Sequence, residues 1–411
     1  MTRSVDYVLP LRWTTEGRTG ELEELTAYIR GLSASARVIV VDGSPAKLFE
    51  HHRALWGAFA LHVAPDPSPW RNGKVAGVHT GLRLTTADAV VIADDDVRYD
   101  PASLRRTVDL LHEADLVGPQ NVFDPLPWHA AWDSARSLLN RAVAADYPGS
   151  FAVRRSTFVD MGGYDGDVLF ENLELMRTVR ANGGRVVRPR DVYVIRRPPS
   201  ARHFAGQRVR QAYDDMAQPW RLALFLPVLP TALSGPRGRR VVVAALVASV
   251  GMAELGRRRG GGARHFAAHL PLFAPAWVLE RSVCSWLAVA QGVLAGGVRY
   301  GDERLAVAAH SVRRLRRAAA RRALVPAGGA EQAPVRAVAE RLQRRPAAPT
   351  EGDRTSIRND LPTVGVGDGE AASQQQRPVR VRDDHGTGRT RAVTVLGALD
   401  SHASNAARTG T

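Results

Sequence analysis

The run Ala89-Val90-Val91-Ile92-Ala93 contains no polar residue and ends in Asp94-Asp95-Asp96. Five apolar residues without alternation fit a strand covered on both faces, and such strands belong to mainly parallel sheets with helices packed on either side. The run does not stand alone. Val5 to Leu11 and Val38 to Val41 are further apolar, β-branched runs, with Leu61 to Ala64 a weaker one. Between them lie the helix-permissive stretches Glu21 to Arg30, Ala46 to Trp56 and Gly73 to Leu84. Strands alternating with helices predict an α/β fold around a mainly parallel sheet.

In an open α/β sheet, ligands gather beyond the carboxyl ends of the strands, where the Asp triplet falls. Hard divalent ions such as Mg2+ or Mn2+ take oxygen ligands and are held by one or two carboxylates plus substrate phosphates. Asp94 and Asp96 are therefore candidate metal ligands. Alone, the same triplet serves equally well as an acidic turn or helix cap before Pro101, because short motifs often match by chance. The second strand ends in Asp42-Gly43-Ser44-Pro45, a carboxylate followed by turn residues. Asp42 and Ser44 are candidate ligand contacts there, and an ordinary capped strand-to-helix turn is the plainer reading.

Taken together and in order, these patterns resemble the family-2 inverting glycosyltransferases of the GT-A fold. Val40-Val41-Asp42-Gly43-Ser44 is similar to the family's nucleotide-binding strand end, one residue shorter than its double-Asp form. Asn72-Gly73-Lys74 followed by His79-Thr80-Gly81-Leu82 resembles its Gly-Lys helix, with His79 where Asn is usual. Asp94 and Asp96 match its Asp-x-Asp metal motif. Gly162-Gly163-Tyr164-Asp165 and then Glu171-Asn172-Leu173-Glu174-Leu175 resemble the segment that supplies the acceptor side and the base. Gln207-Arg208-Val209-Arg210-Gln211 is similar to the Gln-x-x-Arg-Trp motif of membrane-bound members such as ceramide glucosyltransferases and polysaccharide synthases, with Gln211 in place of Trp. On a helix, positions 207, 210 and 211 share a face.

The resemblance implies a nucleotide diphosphate sugar donor, a divalent metal (Mg2+ or Mn2+), and Asp42, Ser44, Lys74, Asp94, Gln207, Arg210 and Gln211 as substrate contacts. Of the 56 basic residues only Lys47 and Lys74 are lysines. A Lys kept at position 74 suits a phosphate, since the ammonium is a compact point charge and the guanidinium a planar fork. Asp96, with Asp94 on the ribose or a metal-bound water, would hold the ion that neutralises the leaving diphosphate. Inversion also needs a base to take the acceptor proton. The family's Asp is Asn172 here, and an amide cannot serve. Glu171 is the first candidate, Glu174 the second, and an inactive nucleotide-sugar-binding protein the third; both glutamates also suit a helix first turn.

Beyond residue 221 the composition changes. Leu222 to Leu233, Val241 to Leu255, Leu270 to Leu279 and Val283 to Val298 are apolar but interrupted by Pro, Gly and Arg, and none is an unambiguous span of about 20 residues. Trp277 and Trp286 near Arg281, with arginines at 237–240 and 257–259, suit a membrane boundary facing anionic lipid. A soluble helical domain is the alternative. The net charge of +15 and isoelectric point near 10.9 ordinarily raise nucleic acid as a partner. No RNA-binding aromatics or zinc spacing accompany the charge, so a lipid-facing basic helix over 301–324 is expected and no nucleic acid. A basic membrane or nucleic-acid scaffold remains the reading in which the Asp cluster is incidental.

Met1 leads into the first strand without a secretory signal, so the catalytic part is expected on the cytoplasmic side of the cell membrane. The single Cys284 lies in an apolar stretch and reads as a packing residue. The organisation expected is a catalytic domain over 1–220, membrane-associated helices over 221–300, the basic helix, and a disordered tail over 325–411 rich in Pro, Gly, Ala, Gln and Arg. The acceptor expected is a lipid, lipid-linked or glycan hydroxyl.

Overall fold

In a computed structural model, residues 4–15, 20–300 and 303–324 are described; the expected tail over 325–411 lies outside them. β1 (Val5–Leu11), α1 (Glu21–Leu32), β2 (Arg37–Asp42), α2 (Ala46–Trp56), β3 (Leu61–Val63), α3 (Gly73–Leu84) and β4 (Ala89–Ala93) follow one another nearly as the sequence predicts. These four strands are parallel neighbours in the order β3-β2-β1-β4, with Val8 level with both Ile39 and Ile92. The fold is mixed α/β around a largely parallel sheet.

Alternation across the pleat gives each strand two buried faces. Tyr7, Leu9, Val38, Val40 and Val91 point to one side, against Leu25 and Ile29 of α1. Val8, Ile39, Val41, Val90 and Ile92 point to the other, against Val75, Val78 and Leu82 of α3. Helix α3 lies especially close to β1: a Cβ on Gly81 would stand 2.3 Å from Cγ1 of Val8. That glycine is required by packing, and its helix carries Lys74 to the strand ends.

The chain then runs through β5 (Val97–Arg98), α4 (Pro101–Asp109), β6 (Leu116–Val117), β7 (Gln120–Phe123), α5 (Trp128–Val143), β8 (Ser150–Arg154), α6 (Arg155–Asp160), α7 (Glu171–Ala181), β9 (Val186–Val187), β10 (Tyr193–Arg196) and α8 (Ala201–Tyr213). β8 joins β4 antiparallel and extends the sheet through β6 to β9. β5, β10 and β7 make a small second sheet that turns the 193–196 strand back over the Asp triplet. The cap of α4 is Asp100, whose carboxylate accepts from the main-chain N–H groups of Ala102 and Ser103 at 2.8 Å. The triplet is thus released from the capping role that its position before Pro101 would otherwise permit.

Beyond these lie α9 (Pro219–Phe225), α10 (Val228–Leu233), α11 (Pro236–Arg258), α12 (Ala274–Ala295), a hairpin of β11 (Val298–Tyr300) and β12 (Glu303–Leu305), and α13 (Val312–Ala323). The apolar stretches expected over 270–279 and 283–298 are largely one helix, because the charges between them are paired inside the protein. Glu280 accepts from the Arg208 guanidinium at 2.7 and 2.8 Å and from the Trp132 indole at 2.8 Å. Trp277 and Arg281, expected at a membrane boundary, are only 1% and 3% exposed; Trp286 is the outward one. Leu270–Ala295 is long and apolar enough to cross a membrane, with 39% of its most apolar window buried, so a core helix of a soluble protein passes the same test. After it the chain returns to the α/β core: the main-chain N–H groups of Leu169 and Phe170 donate to the carbonyls of Val307 and Ala308. α13 then lies along α7 with none of its residues buried.

Candidate active site

The carboxyl ends of β1, β2 and β4 meet α3 around a cavity of about 470 Å³ lined by Arg12, Gly43, Trp70, Lys74, Asp94 and Asp95 among others. This lies within the range of about 300–1,000 Å³ usual for small-molecule sites. Asn72 caps α3 through its side chain, which accepts from the main-chain N–H of Lys74. The ammonium of Lys74 then reaches Asp94 Oδ1 at 2.5 Å and Glu171 Oε1 at 2.7 Å. Burial by itself would discharge this amine, but the two carboxylates outweigh it and hold it firmly protonated. One cation thereby ties the metal motif to the first residue of α7.

The three aspartates have separate surroundings. Asp95 accepts from the Trp13 indole at 2.7 Å, which fixes the loop after β1 over the triplet. Asp96 accepts from Arg196 Nε at 2.7 Å, and the same guanidinium lies 3.7 Å from Asp94. The other oxygen of Asp96 is buried and has no partner. Burial, together with the charges of Asp94 and Asp95, lifts the Asp96 carboxyl to about 6 despite Arg196. Asp94 and Asp96 thus both face Arg196, while Asp94 lines the larger cavity and Asp96 a smaller one. An unsatisfied hard oxygen on Asp96 beside the partly open Asp94 carboxylate is a donor set that fits a Mg2+ or Mn2+ ion.

The residues named from sequence divide into those drawn together and those set apart. Lys74, Asp94, Asp96 and Glu171 converge. Gln207 and Gln211 line a smaller cavity of about 150 Å³ with Asp96 and Arg196, and Gln211 accepts from Arg208 at 2.9 Å. Arg210, on the same helix, lies near enough to Asp214 to oppose the rise of its pKa. Asp42 is turned away: its carboxylate is 1% exposed and accepts from the Ser44 N–H at 2.8 Å, with His52 and His62 on its other oxygen at 2.7 and 3.1 Å. Those two imidazoles and Asp42 bring three possible metal-ligand atoms within 4.8 Å of one another. Ser44 stays at the rim, where its hydroxyl accepts from the Trp13 N–H at 2.9 Å.

The two glutamates could not be more differently placed. Glu174 is fully buried and receives the main-chain N–H and the ring of His310 at 2.7 and 2.9 Å, so it anchors the returning chain. Glu171 is in the Lys74 cluster. Asn172 donates to the Pro148 carbonyl at 3.2 Å and lines a polar cavity of about 140 Å³ with Arg196, Gln211 and Asp214. The Gly-Gly-Tyr-Asp segment is positioned by contact: Gly163 has φ +73°, a Cβ there would strike the His79 ring, and His79 Nε2 lies 3.1 Å from the Tyr164 carbonyl.

Sequence reasoning did not find Trp13, Arg196, Asp214 or His310. Arg196 carried no signal, being one arginine in a chain that uses Arg nearly everywhere. Asp214 carried one: it stands four residues after Arg210 and so shares that helical face. Burial, reinforced by the Glu171 charge and opposed by Arg210, raises the Asp214 carboxyl to about 8.

Comparison with known proteins bears on this geometry. Residues 30–158 match the model for glycosyl transferase family 2, a segment that holds both Asp42 and the Asp94–Asp96 cluster but stops before Glu171 and the 207–211 helix. A mannosyltransferase from Pyrobaculum calidifontis, solved with GDP-Man and Mn2+, is 21% identical, with 70% of this chain and 88% of that one covered and a TM-score of 0.43. Glucosyl-3-phosphoglycerate synthase from Mycobacterium tuberculosis, solved with Mn2+, UDP and its product, is 19% identical over 49% of this chain and 75% of that one, with a TM-score of 0.34. Mannosyl-3-phosphoglycerate synthase from Rubrobacter xylanophilus is 16% identical over 49% and 70%, also with a TM-score of 0.34. No curated protein matches the sequence. Residues 30–158, with the Asp cluster and its lysine at the strand ends, are those of a family 2 domain, and the chain is a glycosyltransferase.

Proposed function

We propose that the chain transfers a sugar, with inversion, from a nucleotide diphosphate sugar to a hydroxyl of a lipid, lipid-linked or glycan acceptor at the cytoplasmic face of a membrane. The observation that carries this reading is the placement of Lys74 between Asp94 and Glu171 at one end of a nucleotide-sized cavity. In this reading the charge needed by a departing diphosphate lies next to the carboxylate needed by an incoming hydroxyl. Asp94 and Asp96 would hold a Mg2+ or Mn2+ ion, and that ion supplies neutralisation of the leaving group when bound. Lys74 adds to the same end. The acceptor oxygen bonds to the anomeric carbon as the bond to the diphosphate oxygen breaks, and the acceptor proton passes to Glu171. Glu174 has no part in this, since both of its oxygens are engaged by His310.

Asn172 and the Arg196–Asp96 pair favour a second reading, a protein that binds the donor without turning it over. Turnover measured with a panel of UDP- and GDP-sugars, Mn2+ and an extracted lipid acceptor fraction separates the two. The wild type is expected to consume one donor, Asp96→Ala to lose about two orders of magnitude or more, and Glu171→Gln a similar amount. Unchanged turnover in Asp96→Ala would sink the metal assignment. Nucleotide binding with no turnover of any donor would establish the second reading.

A further inference from the structure

Beside the polar cavity that holds Asn172 and Arg196 lies a second cavity of quite different character. It measures about 450 Å³ and is walled almost wholly by apolar side chains, with Phe225, Ala245, Ala248 and Trp277 among them. Asn140, Tyr147 and Arg221 line both cavities, so one begins where the other ends. Its outer lip is formed by side chains that stay exposed, including Trp220 and Leu224.

The polar cavity carries an excess of cations. Arg136, Arg196, Arg221 and Arg281 line it against the carboxyls of Asp214 and Asp215. Arg221 is committed to Asp215 at 2.6 Å and to Asn140 at 2.8 Å. Arg281, 3% exposed, is paired with Asp215 at 3.6 Å and lies over the Trp277 ring, but its Nε and Nη1 have no hydrogen-bond partner. A buried guanidinium with idle donors is costly unless an acceptor meets it. Guanidinium donors without partners suit phosphate oxygens.

We infer that the two cavities are one amphipathic site for a lipid bearing a phosphate, with a single alkyl or isoprenoid chain in the apolar part and the anionic head against Arg281. Its assignment as the acceptor rests on the transferase reading above; its existence as a site does not. The shared wall at Asn140, Tyr147 and Arg221 brings the head into the cavity that Asn172 and Arg196 also line. A neutral lipid would leave the Nε and Nη1 donors of Arg281 without an acceptor, and free phosphate would leave the apolar cavity unfilled.

The test uses the full chain held in amphipol, with dodecyl phosphate, dodecanol and inorganic phosphate as probes, read by calorimetry and by the fluorescence of Trp220 and Trp277. Dodecyl phosphate is expected to bind at least about a hundredfold more tightly than either fragment. Ala245→Trp and Ala248→Trp, at exposed helix positions that tolerate bulk, fill the apolar part. They are expected to weaken dodecyl phosphate and dodecanol about tenfold or more without changing inorganic phosphate. Arg281→Met is expected to weaken dodecyl phosphate and spare dodecanol. Dodecanol or inorganic phosphate binding as tightly as dodecyl phosphate would overturn the inference, as would full affinity in both Trp variants. Mn2+-dependent binding of UDP and GDP in the same samples keeps the two readings apart. Nucleotide binding without lipid binding defeats the lipid site alone, and lipid binding without nucleotide binding defeats the transferase reading alone.

Discussion

The roles of Glu171 and Glu174, three residues apart on one helix, are decided by what each carboxylate meets. Glu171 meets the Lys74 ammonium, while Glu174 meets a main-chain N–H and an imidazole inside the protein. Glu174→Gln is therefore expected to lower the thermal midpoint by several degrees, since breaking a buried network costs about 1–3 kcal/mol and each kcal/mol is worth about 2–4 °C in a domain of this size. Turnover per folded molecule should change little. Glu171→Gln should do the reverse, and turnover against melting temperature measures both. Asp214 gives a different signature. Its carboxyl is raised to about 8 in the folded chain, so the folded state holds a proton that the unfolded state has released above about pH 4. The unfolded state then binds fewer protons, and stability must fall as pH rises from about 4 to 8. Asp214→Asn, which cannot ionise, is expected to flatten that slope in melts recorded between pH 5 and 8. A slope identical to wild type would show that Asp214 ionises freely in the folded protein.

At the level of the element, the site depends on how closely α3 approaches β1. Val8 fills the space over Gly81, and the helix start, with Asn72 and Lys74, is placed by that contact. Gly81→Ala is expected to cost about 1–3 kcal/mol, the usual penalty for overpacking a tight core, read as a lower urea midpoint at unchanged slope. Val8→Ala in the same chain should restore part of it. The strands and helices up to β4 were legible because each is a contiguous run whose periodicity states its environment: unbroken apolar for a two-faced strand, a capping Asn before a Gly-Lys turn. Lys74, Asp94, Asp96 and Glu171 were legible because each sits at the end of such a run. Arg196 was not, since it comes from a strand of four residues paired with β5 and β7, and its partners lie 100 positions away. Nor was the return of 307–310 to α7, which rests on main-chain bonds and one buried glutamate that leave no pattern in the sequence. Nor were the neighbours of Asp42 legible: His52 and His62 are brought to its carboxylate by α2 and β3, from 10 and 20 positions away.

For the whole molecule, the apolar side chains of α9 to α12 divide between an inward set around Trp277 and an outward set that nothing among the described residues covers. Leu233, Val247, Val293 and Leu294 are 84%, 67%, 77% and 86% exposed. Exposed apolar surface spread over four successive helices is more than isolated surface residues account for, and a protein or membrane contact is its usual meaning. Arg237, Arg239 and Arg240, exposed at the start of α11, would add about 1 kcal/mol each against an anionic surface. The apolar and ionic contributions separate experimentally. In flotation with vesicles of phosphatidylcholine and phosphatidylglycerol, the chain is expected to float, and raising salt to about 0.5 M should weaken only the arginine part, because screening leaves apolar burial untouched. Val247→Ser combined with Leu233→Ser should weaken binding at both salt concentrations, since each replaces a side chain that transfers favourably out of water with one that does not. Binding abolished by salt alone would make the surface an electrostatic patch, and the outward face of α11 and α12 would then belong to a protein partner.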